Sequence, residues 1–190
     1  MTHDRKRKFL EDIYEIASGK PMRDACNLWA DQYDQDLEAQ GYRTPTRVAL
    51  ALARHLKDKH APILGFACGT GLSGQALRQA GFTGIDGVDL SEKMLRKALA
   101  KGIYRSLAPC SLEAPFESVS EDHQAIAAVG AIGAGAAPIE CLTIAIDHLP
   151  LGGIFCVSLN DHTLKDPRFE AVIAEAVISA AVDLLEREQG

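Results

Sequence analysis

The spacing of apolar residues divides the chain into a helical first part and a longer part of alternating strands and helices. Over residues 5–60, apolar positions recur every three or four residues, as at Val48, Leu52 and Leu56, and this period predicts helices. Short apolar runs then alternate with helix-length segments. The runs predict strands at 62–67, 83–88, 104–108, 124–130, 153–159 and 182–188. The segments between them predict helices at 72–80, 91–100, 139–148 and 167–181.

This alternation is typical of an α/β fold whose mostly parallel sheet carries helices on both faces. We therefore predict a single domain over residues 1–190, with a helical cap at 1–60 and the sheet region at 61–190. Ligands of such sheets bind beyond the carboxyl ends of the strands, near the point where the strand order reverses. The loops expected to carry function follow Ala67, Val88, Leu107, Val129 and Leu159.

Composition narrows the class of protein further. The chain is 47% hydrophobic and 24% charged, as in ordinary globular domains, and its net charge of -6 disfavours a nucleic-acid partner. The uncharged run between His123 and Glu140 is too short and too rich in glycine for a membrane span. No apolar stretch follows the basic start, so no secretory signal is predicted. Five widely spaced cysteines without a C-x-x-C pair favour a reducing, cytoplasmic location and predict neither disulfides nor a structural zinc site.

The motif with the clearest chemistry is a turn of small residues between the first predicted strand and its helix. The turn Cys68-Gly69-Thr70-Gly71 lets the backbone bend sharply and approach a ligand closely. The helix start then offers unpaired N–H groups to a negative group. Asp89 ends the second predicted strand, where a carboxylate can accept hydrogen bonds from both hydroxyls of a ribose. The turn, the strand and the acid together predict a ligand that contains a nucleoside.

The amino-acid sequence of these motifs resembles that of a known family. The stretches GFACGTGLSG and IDGVDLSEKML look like the cofactor half of a class I S-adenosylmethionine-dependent methyltransferase. With the upstream pairs Trp29-Ala30 and Tyr33-Asp34, the chain is similar to the Williams-Beuren syndrome methyltransferase-like group and its bacterial relatives over about residues 25–170. The resemblance implies a Rossmann-like sheet, S-adenosyl-L-methionine as cofactor and methyl transfer to an acceptor. The charge balance favours a small-molecule acceptor.

The resemblance also implies a cofactor site, position by position. Residues 66–71 would hold the methionine part of the cofactor, Asp89 its ribose, and two apolar side chains after Asp89 its adenine. Residues 130–132 would lie near the methyl group, and an aromatic residue of the cap would cover the site. The implied set is Tyr33, Phe66, Ala67, Cys68, Gly69, Gly71, Asp89, Leu90, Met94, Gly130, Ala131 and Ile132.

Candidate catalytic residues follow the fifth predicted strand. Asn160 and His162 stand at the edge of the sheet where substrates bind, and His162 could act as a base if the acceptor needs one. A turn that leads into the next helix is the simpler interpretation of this segment. Methyl transfer from a sulfonium requires no metal, and no cluster of metal ligands is visible in the sequence.

Two helical patterns accompany the site. Trp29 and Tyr33 are four residues apart, so they would share one helix face, either as core residues or as a cover over the cofactor. Lys93, Lys97 and Lys101 form a stripe at the same spacing, which predicts a face exposed to solvent.

Three positions depart from the family pattern. Relatives carry an acid where Gly65 stands, a glycine where Ala67 stands, and commonly an acid at the position of Ser111. The missing acid removes an acceptor near the ammonium group of the cofactor, and Ala67 adds a methyl where the backbone must approach closely. The family's sheet also ends in an antiparallel strand pair, which is shortened here. An uncovered edge would invite pairing with another chain, as in a homodimer.

Two alternatives remain open. Residues 69–74, Gly-Thr-Gly-Leu-Ser-Gly, also fit the G-x-G-x-x-G dinucleotide pattern, with Asp89 at a suitable distance, as in an NAD(P)-dependent oxidoreductase. The methyltransferase is favoured by the helical segment before the first strand and by the residues from Asp89 to Met94. Gly65, Ala67 and the shortened end would suit a degenerate, non-catalytic binding module with a methyltransferase fold.

Overall fold

The computed structural model describes residues 19–189, so the part of the first predicted helix before residue 19 lies outside the described residues. Three helices precede the sheet. They are α1 (Lys20–Trp29), α2 (Tyr33–Ala39) and α3 (Thr44–His55). The first turn of α3 contains Pro45, where a missing backbone N–H costs nothing because the first helical N–H groups have no partner inside the helix.

Strands and helices alternate from residue 63, in agreement with the prediction. Their order is β1 (Ile63–Phe66), α4 (Leu72–Gln79), β2 (Ile85–Asp89), α5 (Glu92–Ala100), β3 (Ser106–Pro109), β4 (Ala125–Ala128), α6 (Glu140–His148), β5 (Ile154–Val157), a 3₁₀ turn (Thr163–Lys165) and α7 (Pro167–Ile178). The hydroxyl of Ser91 accepts the N–H of Met94 at 3.1 Å, as a residue that caps a helix start should.

The five strands form one sheet in the order β3-β2-β1-β4-β5, and every neighbouring pair is parallel. The chain builds β1, β2 and β3 towards one edge and then crosses back to place β4 and β5 on the other side of β1. The strand order therefore reverses between β1 and β4. This arrangement confirms the predicted α/β, Rossmann-like fold class.

Helices cover both faces of the sheet because consecutive strand residues point to opposite sides. On one face, Ile63 of β1 packs with Leu52 of α3 and with α4. On the other face, Leu64 packs in a cluster that includes Leu142 of α6 and Phe169 of α7. Burial on both faces explains why β1 and β4 are short and continuously apolar, whereas β2 is buried but ends in Asp89 and contains Asp86.

The predicted strand at 182–188 is wrong. These residues form no strand, and their acidic side chains contact α3 instead. Glu186 accepts a hydrogen bond from Arg54 Nε at 3.0 Å and lies 2.8 Å from Nε2 of His55. The apolar residues Val182, Leu184 and Leu185 do not keep a strand's alternation, and no neighbouring strand offers a backbone ladder. Within residues 19–189, β5 is therefore an edge strand, and no antiparallel pair follows it.

Two general findings complete the description. All five cysteines are free thiols. Among residues 19–189, no helix combines the length and the apolar character that crossing a membrane requires.

Candidate functional site

A cleft lies beyond the carboxyl ends of β1, β2 and β4, where the strand order reverses. It is concave and partly open to solvent, as small-molecule sites commonly are. Helix α1 and the start of α2 form one wall, and residues 129–131 and 135–137 form another. The walls are mainly apolar and aromatic. Among the described residues that line the cleft, the charged ones are Arg23 and Asp89.

Asp89 has a fixed orientation at the end of β2. Its Oδ2 accepts the backbone N–H of Gly69 at 2.8 Å, and its Oδ1 accepts the N–H of Ser91 at 2.8 Å. Burial raises the pKa of this carboxyl group, and the two backbone hydrogen bonds oppose that rise. Because a carboxylate oxygen can accept more than one hydrogen bond, each oxygen keeps capacity for a donor in the cleft.

The turn between β1 and α4 uses left-handed backbone conformations. Gly69 has φ of 57° and Gly71 has φ of 96°, which glycine adopts freely. Ala67, which also lines the cleft, has φ of 49°. A left-handed conformation costs an L-residue about 1–2 kcal/mol because Cβ crowds the following carbonyl oxygen. The extra methyl expected from the sequence is therefore accompanied by backbone strain.

Tyr104 fills the space behind this turn, which the sequence analysis did not anticipate. A Cβ at Gly74 would lie 2.4 Å from the Tyr104 hydroxyl oxygen, and a Cβ at Gly87 would lie 3.0 Å from its ring. Gly71 and Gly65 border the same ring, at 3.2 Å and 4.0 Å from a built Cβ. The four glycines thus form a cradle for Tyr104. Gly74 lies inside helix α4, where glycine is unfavourable, and this was the signal in the sequence that a bulky side chain packs against the helix.

The aromatic wall of the cleft comes from the cap. Trp29 and Tyr33 meet edge to face, with ring centroids 4.5 Å apart and planes at 64°. The expectation that they share one helix face is wrong, because α1 ends at Trp29 and α2 begins at Tyr33. Trp29 Nε1 donates to Asp36 Oδ2 at 3.0 Å, which ties the two helices together. Burial raises the pKa of Tyr33, so its phenol stays protonated.

Most of the residues proposed to bind cofactor line this one cleft. They are Tyr33, Phe66, Ala67, Gly69, Asp89, Leu90, Met94, Gly130 and Ala131. Three others do not. Cys68 faces a small adjoining pocket, Gly71 borders Tyr104, and Ile132 is buried in the core beside α6.

The sequence analysis missed several residues of the cleft wall. They are Met22, Arg23, Cys26, Cys110, Leu112, Val129 and residues 135–137. The spacing of Met22, Cys26 and Trp29 places them on one face of α1 and was a usable signal. Cys110 and Leu112 follow β3, the loop that the strand order brings beside Asp89.

The two thiols in the cleft are not activated. Burial, with a smaller effect of the nearby Asp89, raises the pKa of Cys26 and of Cys110 to about 12. Because the thiolate is the reactive form, both side chains act as small apolar wall residues.

The two candidate catalytic residues lie outside the cleft. Asn160 Oδ1 accepts hydrogen bonds from the backbone N–H of Thr163 at 2.8 Å and from its hydroxyl at 3.0 Å, so it shapes the 3₁₀ turn. The Thr163 hydroxyl oxygen also accepts the N–H of Ala134 at 3.0 Å, next to the cleft wall. His162 is exposed and does not line the cleft. Within the described chain, no group of side chains is suited to hold a metal ion.

The lysine stripe of α5 is exposed to solvent at Lys93 and Lys97, as predicted, but not at Lys101, and two of its lysines contact the cap. Lys97 Nζ lies 2.7 Å from Asp31, and Lys101 Nζ lies 2.7 Å from Asp34. Only 16% of the Lys101 side chain is exposed. These ion pairs join the helical cap to the sheet region beside the turn.

A second polar cluster surrounds Asp86 near the amino end of β2. Its carboxylate accepts hydrogen bonds from Arg105 and from the Ser106 hydroxyl at 2.8 Å, and it lies 3.0 Å from His123 Nε2. Burial would raise the pKa of Asp86, but these three partners outweigh it and lower the pKa. The cluster lies at the opposite end of β2 from Asp89 and serves the fold.

Comparison with known proteins adds the family context. No family model matches the chain. Human Methyltransferase-like protein 27 is 35% identical over 163 residues, which cover 84% of this chain and 63% of the human protein. The chain therefore spans less than two thirds of that relative's length.

Solved structures agree in fold. DesVI of Streptomyces venezuelae has a TM-score of 0.52 and 20% identity, over 70% of this chain and 59% of that one. CalS10, an amino pentose methyltransferase from Micromonospora echinaspora in its S-adenosylmethionine-bound form, has a TM-score of 0.52 and 18% identity, over 69% and 58%. Identities at this level compare the fold alone. The human relative and these folds agree with the resemblance inferred from the motifs: the chain is similar in sequence to Methyltransferase-like protein 27 and similar in fold to S-adenosylmethionine-dependent methyltransferases.

Proposed function

We propose that this chain binds S-adenosyl-L-methionine in the cleft and transfers its methyl group to a small-molecule acceptor. The observation that carries the proposal is the Asp89 carboxylate, which two backbone N–H groups orient at the mouth of the glycine turn. Each oxygen keeps capacity for one more hydrogen bond, which suits the two vicinal hydroxyls of a ribose.

The rest of the cleft fits the other parts of the cofactor. Leu90 and Met94 supply apolar surface beside Asp89, suited to the faces of an adenine. Residues 66–69 would hold the methionine part, and Tyr33 would cover it. Gly130 and Ala131 line the cleft after β4, near the place where the methyl group would be presented. Cys68, Gly71 and Ile132 would act from behind, by supporting these walls.

The chemistry follows from what the cleft offers. When bound, S-adenosylmethionine supplies a methyl group on a positively charged sulfur, which is already a good leaving group. The protein's own contribution is to position the reactants and to exclude water with its apolar walls. Positioning of this kind can lower the activation barrier of methyl transfer by up to about 7–11 kcal/mol.

The ionisable groups of the wall narrow the acceptor class. Tyr33, Cys26 and Cys110 have raised pKa values and stay protonated near neutral pH. Asp89 is occupied by its backbone donors and, in this proposal, by ribose. Among the described residues, the cleft therefore favours an acceptor that needs no strong base, such as an amine or a thiol of low pKa. CalS10, which shares the fold, is named as an amino pentose methyltransferase.

Two features favour a second candidate, a non-catalytic binding module. Ala67 strains the turn, and no acid stands at Gly65 to contact the ammonium group of the cofactor. Both features would weaken cofactor binding. The oxidoreductase alternative gains no support, since the human relative is named as a methyltransferase.

Calorimetric titration with S-adenosylhomocysteine and separately with NADH tests the proposal. We expect the purified chain to bind S-adenosylhomocysteine and not NADH. Asp89→Asn should weaken binding about tenfold to hundredfold, because two charge-assisted hydrogen bonds lose strength. Asp161→Asn, an exposed carboxylate outside the cleft, is the matched control and should bind as the wild type does.

Turnover separates the two remaining candidates. The chain is incubated with S-adenosylmethionine and a panel of small amines, thiols and alcohols, and S-adenosylhomocysteine is quantified. Release that depends on an amine or thiol supports the enzyme, whereas binding without release supports the binding module. Failure to bind S-adenosylhomocysteine, or preferential binding of NADH, would remove the basis for both.

Two further expectations stay predictions. A homodimer could form through the edge of β5, which light scattering coupled to gel filtration would detect. The cytoplasmic location, expected from the free cysteines, can be checked by cell fractionation.

A further inference from the structure

Two polar contacts join the helical cap to the two segments that orient Asp89. The hydroxyl of Ser91 donates to Asn27 Oδ1 at 2.7 Å, and the hydroxyl of Thr70 donates to Asp34 Oδ1. Ser91 itself donates its N–H to Asp89. The other N–H comes from Gly69, the direct neighbour of Thr70. Each backbone donor of Asp89 is thus next to, or part of, a residue that the cap contacts.

Asp34 makes the stronger of these two connections. Its second oxygen lies 2.7 Å from Nζ of Lys101, so one carboxylate bridges the glycine turn and the end of α5. Thr70 is only 1% exposed, and a hydroxyl so deeply buried is costly unless it has an acceptor. In the described structure Asp34 provides that acceptor.

We infer that Asp34 is a positioning residue for the ribose-binding carboxylate. By accepting the Thr70 hydroxyl it fixes the turn, and the turn then presents the Gly69 N–H that orients Asp89. The cap therefore takes part in assembling the site, besides covering it. The ligand in this inference comes from the proposed function, but the contacts themselves exist in the ligand-free protein.

Asp31 offers a matched control on the same segment. It pairs with Lys97 at 2.7 Å, just as Asp34 pairs with Lys101. Both side chains of the Asp31–Lys97 pair are well exposed. Surface ion pairs of this kind contribute little to stability. Asp31→Ala therefore removes an equivalent lysine pair without touching the turn.

The first experiment needs no ligand. NMR-detected hydrogen exchange compares the wild type with Asp34→Ala and Asp31→Ala. We expect the amides of Gly69 and Ser91 to exchange about tenfold faster in Asp34→Ala and at the wild-type rate in Asp31→Ala. Equal rates in both variants would overturn the inference. So would a uniform increase that includes the buried amides of β4, because this would indicate general loss of stability.

The second experiment measures binding and turnover. Asp34→Ala should weaken S-adenosylhomocysteine binding about tenfold and raise KM for S-adenosylmethionine, with kcat nearly unchanged. Thr70→Val, which removes the hydroxyl at constant shape, should reproduce both effects, and Thr70→Ser, which keeps it, should restore the wild-type values. If Asp34→Ala does not fold, the two Thr70 variants decide alone. Failure of the wild type to bind would contradict the proposed function, and the exchange rates would still judge the role of Asp34.

Discussion

Replacing Ala67 by glycine should stabilise the protein, contrary to the usual effect of adding a glycine. The native φ of 49° destabilises the folded state by about 1–2 kcal/mol when the residue is alanine, and this strain is absent when it is glycine. Glycine also makes the unfolded chain more flexible, which costs about 0.4–1 kcal/mol. The net gain is about 0.5–1 kcal/mol, equivalent to a rise in Tm of about 1–4 °C for a chain of this size.

The same substitution should improve cofactor binding. Ala67 lines the cleft, so removal of its methyl should let a ligand approach the backbone more closely. We expect S-adenosylhomocysteine to bind up to about tenfold more tightly, a gain of about 1.4 kcal/mol. Thermal unfolding with and without the ligand measures both effects, and calorimetry gives the affinity directly.

Ala180 provides the control for this reasoning. Among residues 19–189, it is the other non-glycine residue with a positive φ, which is 58°. It is exposed, follows α7 and does not line the cleft. Ala180→Gly should raise Tm by a similar amount and leave the affinity unchanged. A loss of stability in Ala67→Gly, or equal changes of affinity in the two variants, would refute the argument from backbone strain.

Two further substitutions test the packing around the site and the fold. Gly74→Ala places a methyl 2.4 Å from the Tyr104 hydroxyl oxygen and should destabilise the protein by about 1–3 kcal/mol in urea unfolding. In combination with Tyr104→Ala, this cost should largely disappear, and simple additivity of the two changes would contradict the cradle. Asp86→Ala should lower the free energy of unfolding by about 1–3 kcal/mol at pH 7, because it removes a partner of the buried His123 and of the more exposed Arg105 and Ser106. Since the folded-state pKa of Asp86 is lowered, its stabilisation is present above the unfolded pKa of about 4 and is lost as the pH falls. The difference between wild type and Asp86→Ala should therefore shrink in acid, and a difference that persists unchanged at low pH would count against this assignment.

Patterns within short stretches of the sequence predicted the fold well. Short apolar runs located all five strands of the sheet, and the central strands β1 and β4 gave the clearest signal because they are buried on both faces. The spacing from the glycine turn to Asp89 placed both at one end of the sheet, because parallel strands all bring their carboxyl ends to the same edge. These inferences needed only local geometry and the chain order.

Contacts between distant segments could not be predicted in the same way. The pairs of Asp34 with Thr70 and of Asp86 with His123 depend on how the helices and loops pack, which no local period encodes. Residues 182–188 contain three apolar residues, but a strand forms only where a neighbour supplies hydrogen bonds. Glu186 contacts Arg54 and His55 of α3 instead.

The glycine cradle limits the order in which this sequence can change. Gly74 leaves no room for a methyl while the ring of Tyr104 is present, so the residue at 104 must become smaller before Gly74 can be replaced. A methyl at Gly87 would also meet Cys68 Sγ and Leu107 Cδ2 at 2.9 Å, so this glycine stays required whatever residue stands at 104. Homologues that carry a side chain at the position of Gly74 should therefore lack an aromatic residue at the position of Tyr104.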